Sequence, residues 1–176
     1  MGTVETETEA SGTVVSSTEA SGDTGRWLTP DEQDAWRAYL ATSKLLFRQL
    51  DRDLQPFGLS GNDYEILVVL SEAPEHRLRM TDLADATAQS RSRLSHQITR
   101  MEAAGLVRRE SCPGDKRGLF AVLTETGMAT IERVAPFHVD SVRRHFIGLL
   151  TADQLSALRE GYAAVNGHLR EIRERD

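Results

Sequence analysis

MTDLADATAQSRSRLSHQITRMEAAGLVRR, residues 80–109, joins two short amphipathic segments across a tight turn. Thr81 opens the first segment, a helix that carries Leu83, Ala84 and Ala86. Ser90 has the side chain and position of a helix N-cap, since its hydroxyl can accept from an orphan backbone N–H. Behind it Leu94, Ile98 and Met101 recur at i, i+4 and i+7, an apolar stripe on one helical face. Gly105 stands where a left-handed C-terminal cap is expected. The other face reads Arg93, His96, Gln97 and Arg100, with Arg91, Ser92 and Ser95 at the leading end, and all seven are predicted to lie outside the core. The turn Thr87-Ala88-Gln89 lacks the glycine common at such a corner.

The period changes after Gly105. Leu106 to Glu110 is strand-like, Cys112-Pro113-Gly114-Asp115 is turn chemistry, and Leu119 to Leu123 is a second short strand. The prediction is a hairpin whose tip carries Asp115, Lys116 and Arg117. A short helix, a turn, a polar-faced helix and a hairpin make a winged helix-turn-helix. Its chemistry suits duplex DNA. Arginine pairs bidentately with guanine O6 and N7, and glutamine with adenine N6 and N7. Hydroxyls such as those of Thr81, Ser90, Ser92 and Ser95, together with the helix N-terminus, suit phosphate oxygens. Lys116 and Arg117 at the hairpin tip can reach a neighbouring minor groove, whose negative potential attracts arginine where it is narrow.

Outward from this centre the chain is helical. Thr29-Pro30-Asp31-Glu32 is a helix start with a capping box, followed by the stripe Trp36, Leu40, Ser43, Phe47, Leu50 and Leu54, which ends at Pro56 and Gly58. Ser60 with Asp63 makes a second capping box, and Tyr64, Leu67, Val68 and Ser71 continue a short buried helix up to Pro74. Thr124 starts a long helix with Met128, Ile131, Val134, His138, Val142 and Phe146. Thr151 with Gln154 caps the last helix, striped by Leu155, Leu158, Tyr162, Val165, Leu169 and Ile172. The fold class is mainly α with a small β-hairpin wing. The terminal stripes are more apolar surface than one small domain covers, which predicts a homodimer.

Charge is unevenly spread. The 176 residues carry a net charge of −6, yet residues 76–118 hold nine Lys or Arg against five acids. A basic island in an acidic chain directs that region alone toward polyanions. Residues 1–25 hold five acids, no Lys or Arg, and the repeated theme TEASG; residues 1–26 are read as a disordered acidic tail. No run of 18 apolar residues exists and no secretory leader is readable, so neither a membrane partner nor export is expected. The one cysteine, Cys112, excludes an intramolecular disulfide and a cysteine-rich zinc site, and a reducing compartment, the cytoplasm, is the default. Nucleophile-elbow, phosphate-loop and metalloprotease motifs are absent, so no enzyme, cofactor or metal is predicted.

Residues 80–109, followed by GDKRGLFAVLTETG at 114–127, resemble the MarR (multiple antibiotic resistance regulator) family of bacterial transcription factors. That family's wing has an Asp-x-Arg pair before a strand ending in Leu-Thr-x-x-Gly; here these are Asp115, Arg117 and Leu123-Thr124-Glu125-Thr126-Gly127. The resemblance spans roughly residues 27–173, and one departure is the acidic tail, which the family does not require. It implies a dimer with interlocked N- and C-terminal helices that binds a pseudo-palindromic operator and usually represses. A small aromatic or anionic ligand in the cleft between dimerisation and DNA-binding parts often releases the DNA. The implied divisions are 27–58 for the first dimerisation helix, 59–124 for the winged helix-turn-helix and 125–176 for the remaining dimerisation helices. Ser90, Arg91, Ser92, Arg93, Ser95, His96, Gln97 and Arg100 fall on the recognition helix by position, and Asp115, Lys116 and Arg117 on the wing. The family's aspartate orients its arginine through a salt bridge.

Three alternatives stand beside this reading. A winged helix also serves as a protein-interaction module without DNA. His138, Asp140, His145 and His168 offer imidazole and carboxylate for a metal-responsive regulator. Arg108, Arg109 and Lys116 near Cys112 would favour a thiolate in a redox-responsive one, against the plainer expectation of an unreactive surface cysteine.

Overall fold

The structure, a computed structural model, describes residues 27–112 and 114–175, and the side chains of residues 116, 117, 174 and 175 lie outside that description. The acidic tail of the sequence reading therefore falls outside the described residues. Among the described residues six α-helices and three strands follow one another: α1 (Pro30–Leu54), α2 (Gly61–Glu72), β1 (Arg77–Arg79), α3 (Met80–Ala86), α4 (Arg91–Ala103), β2 (Val107–Cys112), β3 (Asp115–Leu123), α5 (Glu125–His145) and α6 (Ala152–Arg175). The chain divides into two units, up to Leu40 and from Ala41 onward. In the first, the Thr29 N–H donates to Glu32 Oε2 at 2.8 Å and the Glu32 N–H to Thr29 Oγ1 at 3.3 Å, the reciprocal capping box. Trp36 and Tyr39 stack at 5.6 Å between ring centroids.

The second unit starts its helices where the sequence places caps. Ser60 and Asp63 form the full capping box of α2. Ser90 accepts from the Arg93 N–H at the head of α4, and Thr124 from the Gly127 N–H at the head of α5. Thr151 and Gln154 exchange the two bonds of the last box. Gly105 closes α4 at φ 74, a left-handed conformation that glycine adopts without a Cβ penalty.

Two local expectations need correction. Thr81 does not open α3: the helix begins at Met80, its N-cap position is Arg79, and no side chain caps it. A strand, β1, runs straight into α3 and leaves no room for a capping residue, so the Thr81 hydroxyl turns to Asp82 Oδ1 at 3.1 Å. The wing is also more than a hairpin, because β1 pairs with β3 and gives an antiparallel sheet of order β1-β3-β2. Three residues are too few for alternation to show in the sequence. The glycine-free corner is made by Ala88 at φ 50, an uncommon conformation for a residue with a Cβ.

Every element from the end of α1 to α5 except β1 sends residues into one core: Leu54, Ile66, Leu67, Leu70, Leu83, Leu94, Ile98, Met101, Val107, Ala121 and Val134 are all buried, and Leu78 of β1 packs against it. Each large side chain among them contributes on the order of 1.5–3 kcal/mol by leaving water. The β2 entrance is locked to α5. Leu106 O accepts from the Thr124 N–H at 3.1 Å, and Gly127 passes so close that a Cβ there would lie 2.1 Å from Leu106 O and 2.7 Å from Leu123 Cδ1. The glycine of the Leu-Thr-x-x-Gly run is thus required by a close approach. On the far side of α5, Ser141 donates to Asp53 Oδ2, Gln49 Nε2 donates to Asp53 Oδ1 at 2.8 Å, and His145 Nε2 lies 3.3 Å from Oδ2. The Ser141 hydroxyl holds the Asp53 carboxyl below its ordinary value, helped by Gln49 and His145. No described helix is long and apolar enough to cross a membrane.

Two outcomes follow. Gly127→Ala should lose about 1–3 kcal/mol of stability in urea unfolding, because the new methyl meets a backbone oxygen that cannot yield cheaply. For Asp53 the unfolded chain takes up its proton first, so the stability carried by the charged carboxylate is complete above pH 3.8 and is lost as the pH falls through the lower folded value. Ser141→Ala, which removes the main cause of the shift, should unfold more easily at pH 7 and show a shallower loss of stability below pH 4 in the same assay.

Candidate nucleic-acid interface

α4 divides its residues by helical angle. Leu94, Ile98 and Met101 are buried, and so is Gln97, only 3% exposed. Gln97 does not belong to the open face on which the sequence reading placed it. It stands three residues after Leu94 and four before Met101, inside the apolar stripe, and its amide Nε2 donates to Asp63 Oδ1 at 3.0 Å. Asp63 spends its other oxygen on the Ser60 N–H and hydroxyl, at 2.9 and 2.6 Å, so one carboxylate caps α2 and fastens α4. The polar residue in the stripe is a tether.

The remaining candidates on α4 are exposed: Ser90, Arg91, Ser92, Arg93, Ser95, His96 and Arg100. Ser92 and His96, one turn apart, lie farthest from the stripe. Arg93 and Arg100, seven apart, share one flank, and Arg91 and Ser95 face the wing. Thr81 is exposed near the start of α3. Sequence reasoning passed over Thr99, which is also exposed on the open side; its hydroxyl donates to Ser95 O at 3.0 Å.

β2 is bound to α4 by one side chain. Arg109 Nη1 pairs with Glu102 Oε2 at 2.6 Å, Nη2 donates to Ser95 O at 2.8 Å and Thr99 Oγ1 at 2.9 Å, and its own backbone N–H donates to Glu102 Oε1 at 2.9 Å. That backbone bond is the main reason the Glu102 carboxyl sits below its ordinary value. Arg109 is therefore occupied and does not serve Cys112. Cys112 is itself buried, 4% exposed, where the plainer reading expected an unreactive surface cysteine. It stands at the end of β2, where a Cβ on Gly118 would lie 3.0 Å from its sulfur.

The hairpin is regular from Val107↔Leu123 to Ser111↔Leu119 and then slips, since the next partners are Cys112↔Asp115. Lys116, Arg117 and Gly118 are the residues left over by that register, and they bulge from β3. Asp115 folds back beneath them: a Cβ on Gly118 would lie 2.5 Å from Asp115 Oδ2. The same oxygen pairs with Arg79 Nη1 of β1 at 3.2 Å. The Arg117 side chain, to which the sequence reading joined Asp115, lies outside the described residues. Arg79 and Arg91, with Thr81, Ser95, Arg109 and Asp115, surround a concavity of about 320 Å³ between α4 and the wing. Arg79 was absent from the sequence candidates because its strand was.

A second and larger cleft, about 920 Å³, is lined by α1, α2 and α5 residues that include Arg48, Arg52, Tyr64, Glu65 and His138. The His138 ring lies 4.2 Å from that of Tyr64, and burial holds the imidazole below its ordinary value. Burial likewise raises the Glu65 carboxyl. Among the described residues no three His, Cys, Asp or Glu side chains gather into a metal-binding group. His145 is engaged with Asp53, and Asp140 lies 3.7 Å from Arg143.

Comparison with known proteins agrees with this geometry. A model of the MarR family matches residues 57–118. The structure of AbsC, a MarR family transcriptional regulator from Streptomyces coelicolor, superposes with a TM-score of 0.78 at 62% identity, covering 83% of this chain and 99% of AbsC. Sco3205, a MarR family transcriptional regulator of the same organism solved in complex with DNA, gives a TM-score of 0.79 at 47% identity over 84% of this chain and 92% of its own. The HTH-type transcriptional regulator PecS of Dickeya dadantii is 30% identical over 129 residues, which are 72% of this chain and 76% of PecS. On its helix order, its winged sheet and these likenesses, the chain belongs to the MarR family of transcriptional regulators.

Proposed function

We propose that this protein is a sequence-specific, duplex-DNA-binding repressor of the bacterial cytoplasm that acts as a homodimer on a pseudo-palindromic operator. The observation that carries the reading is the outward face of α4. Arg91, Ser92, Arg93, Ser95, His96 and Arg100 stand exposed on a helix anchored from behind by Gln97–Asp63 and Arg109–Glu102. A rigid helix with an uncovered basic and hydroxyl face suits the major groove, where Arg93 and Arg100 would read or grip and the leading serines would meet phosphate. The Lys116–Arg117 bulge supports a wing in the adjoining minor groove. Because the charge is concentrated there, binding should weaken steeply with salt. A protein-interaction module would lack that slope.

The dimer rests on exposed apolar residues. Trp36 on α1 and Tyr162, Val165, Leu169 and Ile172 on α6 are all more than 40% exposed, on the stripes the sequence spaced by three and four. A second copy is the natural cover, with residues 27–58 and 125–176 as the dimerisation parts and 59–124 as the DNA-binding part. The cleft beside His138 supports control by a small aromatic or anionic molecule. It offers aromatic and arginine side chains, and a buried His138 Nδ1 that has no hydrogen-bond partner among the described residues.

Selection of bound duplexes from a random pool tests the reading, with two symmetric half-sites as the expected outcome. On the selected site Arg93→Ala should cost about 1–3 kcal/mol and relax preference at one base pair. Gln97→Ala should behave oppositely, lowering the melting temperature while base preference stays unchanged. A Gln97→Ala variant with intact stability and altered preference would return that residue to the reading face. Sedimentation at micromolar concentration should give about twice 19.5 kDa; a monomer that still binds the site would refute the dimer.

A further inference from the structure

The wing has an unsupported edge. β1 is three residues long and pairs with β3 only from Val122 to Phe120. From Leu119 to Asp115, β3 keeps β2 as its sole described ladder partner, and even that register breaks after Ser111. A two-stranded ribbon is marginal by itself, so the part of the wing that would enter DNA is the part with the weakest ladder. Arg79, the last residue of β1, reaches across this gap. Its register partner is Phe120, its guanidinium carbon lies 5.9 Å from that ring's centroid, and its Nη1 meets Asp115 Oδ2 at 3.2 Å. Asp115 immediately precedes the Lys116–Arg117–Gly118 bulge, and Gly118 leaves the space its carboxylate occupies. Arg79 also lies one residue before α3, and with Arg91 and Ser95 of α4 it walls the concavity between helix and wing.

We propose that Arg79 is a positioning residue for DNA recognition: through Asp115 it ties the base of the Lys116–Arg117 bulge to the start of α3, so that wing and recognition helix present to the duplex as one surface. The inference rests on the DNA-binding reading above. Both partners are nearly half exposed, so the pair contributes little to folding. Its effect falls on where the wing is held, in the way a carboxylate fixes a guanidinium by charge-assisted hydrogen bonding.

The test uses the full chain and its selected duplex. Arg79→Ala should leave the melting temperature nearly unchanged and weaken the duplex about three- to tenfold, the coupling expected within one ion-pair network. Hydroxyl-radical protection should fade over the outer minor grooves, where the wings lie, and persist where α4 sits. Arg79→Lys should restore part of the affinity. The Arg79→Ala/Asp115→Ala double variant should bind no worse than the weaker single variant. The backbone N–H groups of Cys112 and of residues 114–118 should exchange faster in Arg79→Ala even without DNA. The proposal fails if the two losses add, or if affinity and wing protection survive Arg79→Ala. It also fails if the dependence of affinity on salt loses about one charge in Arg79→Ala alone, since Arg79 would then be touching phosphate itself. A wild-type chain that retains no duplex would remove the DNA-binding reading as well, which separates that failure from this one.

Discussion

Arg109 fastens the sheet to α4, and the way α4 presents its exposed face depends on that fastening. Four hydrogen bonds, one from its main chain and three from its guanidinium, end on Glu102, Ser95 and Thr99. Charge-assisted bonds of this kind are shorter and stronger than neutral ones, and the planar guanidinium sets direction as well as distance. Because Ser95 O and Glu102 lie two turns apart along α4, the strand cannot rock against the helix without breaking at least one bond. The apolar stripe of α4 gives adhesion, while Arg109 gives orientation.

The opposite side of α4 is served by a second polar anchor of the same kind. A glutamine inside an apolar stripe would cost free energy if left unpaired, and Asp63 supplies the partner while it caps α2. The first anchor uses a group that already has a local task, Asp63 as a capping residue, whereas Glu102 in the last turn of α4 spends both oxygens on Arg109. Between them the side chains of Arg91, Ser92, Arg93, Ser95, His96 and Arg100 remain exposed on the open face.

At the other end of this unit the large cleft is lined from α1, α2 and α5, and the Asp53–Ser141–His145 contact joins α1 to α5. α5 connects the regions: its first turn presses on Leu106 at the entrance of β2, and its last turns hold the end of α1 through Asp53. His138, which lines the cleft, therefore stands on the helix that touches the wing's strand at one end and α1 at the other.

Much of this was legible from residues alone. Caps at Ser60, Ser90, Thr124 and Thr151, the left-handed Gly105 and the stripe of α4 are local matters, decided by spacing within one helix and by the hydrogen-bonding reach of short side chains. The family resemblance rested on that order of elements. What the sequence could not decide were pairings between elements. β1 is three residues without a readable period, and it is a strand only because β3 lies beside it. Gln97 turned inward because Asp63, 34 residues away, was there to receive it, and Arg109 and Cys112 were drawn into internal contacts that no spacing announces. Arg79 became part of the wing for the same reason. Local geometry is written in neighbours three and four apart, whereas the partner of a polar side chain across the fold is chosen by tertiary packing, which alone brings distant donors and acceptors within 3 Å.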